Sequence, residues 1–228
     1  MKTQERLLII IIKGIIFKAV KLWIVVFKLS SNKYLLSKVI IIIYYISDMH
    51  IGHKNAIRFD NRPFNDIDEM ECEIINRWNN KVNSNDDVYI LGDVFYRYKK
   101  DRADFLKKLN GRLHLIIGNH DFEILKNEAA LACFESTEKL KQIVDNGRGV
   151  VMCHYPMVSW NMKHFGSYHV YGHVHSKVNE VTLFMIKQEL AFNAGCMINN
   201  YEPCTLEELE ENNQTFLKRI LEENNIRI

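Results

Sequence analysis

Three prolines in 228 residues, and no stretch rich in glycine and serine, leave the chain without a recognisable linker or low-complexity spacer. Cysteine is also sparse. Cys72, Cys133, Cys153, Cys196 and Cys204 are odd in number and form no C-x-x-C pair. That excludes a disulfide framework and reads as reduced thiols in a cytosolic protein. Cys153 adjoins His154, but strand alternation turns its side chain toward the core. A basic excess is missing from most of the chain as well. Residues 1–40 carry eight Lys/Arg and one acid, Glu5, so the overall net charge of +2 leaves residues 41–228 at −5. The main body therefore has no electrostatic footprint for nucleic acid, although an enzyme that grips phosphate through metal ions needs none. No internal repeat is found. What remains is ordinary globular usage, 47% hydrophobic and 25% charged, on a chain long enough to bury a sizeable core.

No hydrophobic run of membrane-spanning length is free of charge either. Residues 7–29, LLIIIIKGIIFKAVKLWIVVFKL, have the length of a membrane span, but Lys13, Lys18 and Lys21 interrupt them and Lys28 lies near the end. A lysine at the bilayer centre costs roughly 2.5–3.5 kcal/mol, against about 0.3–0.6 gained per Ile, Leu, Phe or Val, so a clean span is nearly cancelled. On a helix the four lysines fall within an arc of about 140°, with apolar residues elsewhere. That describes a basic amphipathic helix lying on an anionic membrane surface. An extension outside the catalytic fold and a true span are the alternatives; a cleaved signal fits poorly, because no A-x-A-like site follows. Two regions are expected: residues 1–38 as an apolar, basic extension and 39–228 as the catalytic domain. The expected location is cytoplasmic, peripheral at the membrane if residues 7–29 bind it.

Residues 39–46 read as a buried strand that stops at Ser47-Asp48. Residues 65–82 have apolar residues at helical spacing, with Asn65 or Asp66 as cap. Further strands are expected at 87–91, 113–117, 149–153, 168–171, 180–186 and 190–193. Helices are expected at 101–109 and 205–223, the latter opened by a Thr205/Glu208 capping box. Apolar strands repeatedly end in glycine or serine followed by Asp, Asn or His, at the sheet edge where α/β proteins place ligands.

Five strand ends carry this chemistry: Asp48-Met49-His50, Gly92-Asp93, Gly118-Asn119-His120-Asp121, His154 and Gly172-His173-Val174-His175. Imidazole and carboxylate without thiolate suit mid-row divalent ions. Two ions about 3.5–4 Å apart need a ligand that touches both, which a carboxylate can do and a neutral imidazole cannot. Asp93, alone at its strand end, is the natural bridge. Each short motif is weak by itself; all five in this order are specific.

Taken together they resemble the calcineurin-like metallophosphoesterase superfamily from about residue 40 to residue 210. HIGHKNAIRFDNRPF (50–64), HYPMVSWN (154–161) and GSYHVYGHVH (166–175) are similar to small bacterial and phage phosphoesterases. The resemblance implies an α/β fold, a four-layer αββα sandwich of two mixed sheets flanked by helices. It implies that Asp48, His50, Asp93 and His175 bind one metal ion, and Asp93, Asn119, His154 and His173 a second. Mn²⁺, Fe²⁺, Zn²⁺, Co²⁺ and Ni²⁺ all suit such a set. A water shared by two dications gives hydroxide near neutral pH. His120 would then protonate the leaving oxygen as general acid, with Asp121 orienting it or capping the following helix. The Ser/Thr protein phosphatases of the superfamily carry G-D-x-V-D-R-G, whereas this chain has Tyr96 for the second aspartate, which argues against that activity.

Arg97 falls where those phosphatases have a phosphate-binding arginine. Arg58 and Arg62 lie in a loop after the first motif, as substrate-steering charges or ordinary loop residues. His53 can support a ligand or simply be exposed; His164 and His169 lie near the last motif; His114 and Trp78 read as structural. The expected function is a dinuclear phosphodiesterase or phosphomonoesterase acting on a small-molecule or nucleotide phosphoester. Alternatives are a nuclease or nucleotide pyrophosphatase, with nucleic acid as partner, or a membrane-surface enzyme acting on a lipid-linked phosphoester. A scaffold without metals would show broken ligands, and here all are present.

Overall fold

A computed structural model describes residues 41–223. The expected membrane-surface helix at 7–29, with the whole of segment 1–38, lies outside these residues. Among the described residues no helix is long and apolar enough to cross a membrane.

Two four-stranded sheets form the centre. The first contains β1 (Ile43–Ile46), β2 (Asp87–Ile90), β3 (Arg112–Ile116) and β4 (Phe134–Glu138), in that order and all parallel. An antiparallel bridge between Tyr45 and Cys204 on the free edge of β1 makes this sheet mixed. The second contains β5 (Leu140–Asp145), β6 (Arg148–Cys153), β7 (Tyr168–Tyr171) and β8 (Ala191–Asn193), with β5 antiparallel to β6 and the rest parallel.

Alternation along the strands builds the layers. In the first sheet, Tyr44, Ile46, Val88, Ile90, Leu113 and Leu115 pack outward on Met70, Ile74 and Trp78 of helix α2 (Ile67–Lys81). Tyr45, Tyr89 and Ile116 face the other way and meet Val150, Met152, Val170 and Phe192 of the second sheet. The outer face of that sheet, Val151, Tyr171 and Ala191, is covered by Trp160, Val174 and Met185. Each buried Val, Leu, Ile, Met or Phe among them contributes about 1.5–3 kcal/mol. The result is the αββα order implied by the resemblance. Leu206 and Leu209 of the C-terminal helix (Leu206–Glu223) close the inter-sheet core, and Thr205 and Glu208 form the expected reciprocal cap.

Three local expectations are corrected. Residues 180–186 are not a strand: Glu180–Met185 is a helix, because the Asn179 side chain accepts from the Thr182 N–H and caps it at 2.9 Å. The β-branched and aromatic run V-T-L-F-M-I mimics a strand, but the cap decides. Residues 54–59 are a short helix, α1 (Lys54–Phe59), where a loop was expected. β4 and β5 are additional. Their sequences, FESTE and LKQIVD, are too polar for a buried-strand pattern. Yet Asn146-Gly147, at φ 46° and 81°, form the two-residue turn joining β5 to β6, and N-G between strands is a hairpin signal.

Candidate metal centre

The loops that follow β1 and β2 run side by side. Asp48 N–H bonds Gly92 O at 3.1 Å, His50 N–H bonds Asp93 O at 2.9 Å, and Ile51 N–H bonds Val94 O at 2.9 Å. The loop after β3 presses on the second of them. A Cβ on Gly92 would stand 2.6 Å from Gly118 Cα, and one on Gly118 would stand 2.4 Å from Asp93 Oδ1, so only glycine permits this approach. Asp48, His50, Asp93, His173 and His175 all have φ between 48° and 72°. Non-glycine residues in this region cost on the order of 1–3 kcal/mol each and gather where function over-determines the backbone.

These turns bring the expected ligands together. Asp48, His50 and His175 form one cluster of donor atoms, and Asp48, Asp93 and His154 another. Asp93 Oδ2 lies 3.7 Å from His50 Nε2 and 3.6 Å from His154 Nε2. His175 Nε2 lies 3.1 Å from His50 Nε2 and 3.7 Å from Asp48 Oδ1. Asn119 Oδ1 is 3.0 Å from His154 Nε2, and the His173 ring, exposed, stands 5.2 Å from that of His154. The His120 ring is 5.6 Å from His50 and edge-on to Tyr96 at 5.1 Å.

Hydrogen bonds fix the orientation of several donors. His154 Nδ1 meets Leu91 O at 2.7 Å, which turns its Nε2 into the site. His175 Nδ1 meets Asp60 Oδ1 at 3.0 Å and does the same. The Ser47 hydroxyl and the His173 N–H both donate to Asp48, at 2.6 and 3.0 Å. Burial pushes the Asp48 carboxyl up, with His175, His154 and the Ser47 hydroxyl opposing it. Burial, then His175 and Arg62, pull His50 down to about 2, so its ring is a neutral donor. Burial also works against a charged His175, but the Asp60 bond and Asp48 outweigh it and raise its pKa.

The residues expected around the ligands are placed differently. Asp121 occupies the N-cap position of the helix Phe122–Leu125, but its side chain makes no cap bond there and none to the His120 ring. It is fully buried beneath the site. Its Oδ2 accepts from Gly118 and Asp93 N–H at 2.7 and 2.9 Å, and its Oδ1 from Val94 N–H at 3.0 Å. Adjacent residues point apart, so it binds the two loops together instead of serving its neighbour. Arg62 is 4% exposed and uses all five N–H donors, on Asp60, Met49 O, Asp48 O and Met70 Sδ. It is a strut under the first motif, turned away from the substrate side. Arg58 is exposed beside Phe59, and Arg97 lies in the wall of an adjoining cavity, not of the metal cleft. His53 stacks on Tyr96 with centroids 3.9 Å apart. His169 is a core histidine, and His114 is held by Ser136 and Asp87.

Asp60 is the site residue that motif reading passes over. It lies between Arg58 and Arg62, and only a contact across 115 positions reveals its bond to His175. A lone aspartate between two arginines was the available signal.

The calcineurin-like phosphoesterase superfamily domain matches residues 41–205. An uncharacterized protein of Methanocaldococcus jannaschii is 32% identical over 167 residues, which are 72% of this chain and 87% of that protein. The gene 66 protein of Mycobacterium phage L5 is 27% identical over 160 residues, covering 58% of this chain and 77% of its own. Among solved structures, a protein of unknown function from Aquifex aeolicus superimposes with a TM-score of 0.59 at 25% identity, over 75% of this chain and 99% of that one.

Proposed function

The chain belongs to the calcineurin-like phosphoesterase superfamily, and from that premise we propose that it hydrolyses a phosphoester with the help of two divalent metal ions. One atom supports the reading most directly: Asp93 Oδ2, set between His50 Nε2 at 3.7 Å and His154 Nε2 at 3.6 Å. A single carboxylate oxygen between imidazoles from two different loops is what a ligand shared by two ions would need, and it supports the reading.

The donor set fits such ions. Nitrogen–metal bonds of about 2.0–2.1 Å put neighbouring ligands of one ion roughly 3 Å apart, and His50 Nε2 and His175 Nε2 stand 3.1 Å apart. Two buried carboxylates, Asp48 and Asp93, face them without a lysine or arginine in bonding range of either carboxylate among the described residues. Asp48, His50, Asp93 and His175 would hold one ion, and Asp93, Asn119, His154 and His173 the other. The set of imidazole, carboxylate and amide oxygen suits Mn²⁺, Fe²⁺, Zn²⁺, Co²⁺ or Ni²⁺. When bound, the ions supply hydroxide near neutral pH and positive charge against the phosphoryl oxygens.

The remaining work falls to the chain. The His120 N–H donates to Asp93 Oδ1 at 2.8 Å, which seats the residue at the cleft wall. Its ring, half-buried and bordered by His50 and Tyr96, gives its proton to the leaving oxygen as general acid. Asp60 and Leu91 O hold His175 and His154 in the tautomers that present Nε2. No side chain acts as nucleophile, so no covalent intermediate forms.

Purified protein supplied with Mn²⁺ should hydrolyse bis-p-nitrophenyl phosphate or p-nitrophenyl phosphate, and Asp93→Ala should abolish the reaction. Activity that survives EDTA, or the Asp93→Ala change, overturns the reading.

A further inference from the structure

A cavity of about 610 Å³ adjoins the metal cleft of about 260 Å³. His53, Phe59 and Tyr96 line both. The partition is thus a single aromatic layer, and His120 stands against it, edge-on to Tyr96 at 5.1 Å. The larger volume falls within the range, about 300–1,000 Å³, of pockets that enclose a small organic ligand.

Its wall is both aromatic and positively charged. Phe59 is 57% exposed, and its ring is open to a ligand that enters the cavity. Lys54, Arg97, Lys99 and Lys100 face Asp68 and Glu71 there. Lys100 engages both carboxylates, at 2.8 and 3.1 Å. No ion pair among the described residues involves Lys54, Arg97 or Lys99, and Arg97 lies over the Tyr96 ring at 5.5 Å, so an entering anion meets cations without a carboxylate partner.

This inference rests on the hydrolase reading above, in which the leaving oxygen is the atom His120 protonates. The leaving group then lies on the Tyr96 side of the cleft. We propose that the larger cavity is a leaving-group subsite for a nucleotide, whose base lies against Phe59 and whose phosphate meets Arg97, Lys54 and Lys99. The substrate is then a phosphodiester with a nucleotide on the leaving side. The phosphorus–oxygen bond to that nucleotide breaks, water supplies the hydroxyl to phosphorus, and His120 supplies the proton to the sugar oxygen.

Two measurements test this. Adenosine 5′-monophosphate is titrated calorimetrically into EDTA-treated protein, which isolates the cavity from the metal centre. It should bind more tightly than adenosine or inorganic phosphate, and Phe59→Ala and Arg97→Ala should each weaken it at least five-fold. No binding, or wild-type binding by both variants, overturns the subsite. In the second, Mn²⁺-loaded enzyme is given the dinucleotide pApA and bis-p-nitrophenyl phosphate. The Arg97→Ala/Lys99→Ala variant should lose at least ten-fold more kcat/KM on the dinucleotide, because nitrophenolate carries no second phosphate. An unchanged ratio with both substrates cleaved removes the subsite and leaves the hydrolase reading standing. Cleavage of neither substrate removes the hydrolase reading, and nucleotide binding then judges the cavity alone. All three residues are exposed, and thermal unfolding of each variant verifies that it folds.

Discussion

Asp60 and His175 are 115 residues apart, and their side chains meet at 3.0 Å. The carboxylate accepts from His175 Nδ1 while also receiving Arg62 at 2.9 Å, so one buried acid steadies a ligand and is itself steadied. Supporting hydrogen bonds of this kind typically change metal affinity by about 10–100-fold. Asp60→Asn keeps the shape and removes the charge. If the two-ion proposal holds, its affinity for the ion proposed at Asp48 and His50 should fall at least ten-fold in a chelator competition, with little change at the other ion. Two ions bound with wild-type affinity would show that Asp60 only packs.

Asp121 is expected to matter through stability more than through proton transfer. Three backbone donors lose their acceptor in Asp121→Ala. An unsatisfied buried donor costs about 1–3 kcal/mol, so the variant should lose roughly 3 kcal/mol or more in urea unfolding. Unchanged stability with a lost rate dependence on leaving group would return Asp121 to His120.

The two histidines of Y-G-H-V-H should fail differently. His175 is tied to Asp60 and lies beside His50, whereas the His173 ring lies beside that of His154. His175→Ala should weaken mainly the ion at Asp48 and His50, and His173→Ala mainly the ion at His154. Elemental analysis of each variant after dialysis counts what remains; equal losses in both would mean a single chelate.

His169 gives the fold a pH dependence away from the site. Its Nε2 accepts the Met157 N–H and its Nδ1 donates to Val151 O, each at 3.0 Å, so a second proton has no place. Burial pulls it down to about 4, below the ordinary histidine value. Between pH 6.5 and 4 the unfolded chain therefore takes up a proton that the native state refuses. Stability should fall as the pH drops through that window, by about 3 kcal/mol. His50 acts in the same direction. In urea midpoints measured from pH 7.5 to 4.5, His169→Gln should flatten the slope without abolishing it. A slope identical to wild type would assign the effect elsewhere.

Much of this architecture is legible in the chain because its ligands are chemically uncommon residues at the ends of strongly apolar strands. Asp48 and Asp93 need only neighbouring strand ends of one parallel sheet to converge, and His154 joins them from a strand end of the second sheet packed against it. What escapes is whatever depends on approach between distant loops. The role of Asp121 needs Gly92 and Gly118 in contact, and adjacency to His120 suggested a nearer partner. Arg62 looks like a solvent-facing loop charge until α1 folds back and buries it under Met49. The strand β4 is too polar to stand out, and the helix at 180–185 is decided by one capping asparagine against six strand-like neighbours.

The left-handed backbone at Asp48, His50, Asp93, His173 and His175 has a consequence for how this protein tolerates change. At most positions, deleting a side chain costs stability. At the exposed His173, glycine relieves torsional strain of about 1–2 kcal/mol while removing a proposed ligand. At Asp48 and Asp93 the relief is offset, because the Ser47 hydroxyl and the His173 and His120 N–H groups would lose their acceptors. Random mutation screened only for a higher melting temperature is therefore expected to take glycine at His173 before it touches the buried acids, and to disarm the site while leaving its frame in place.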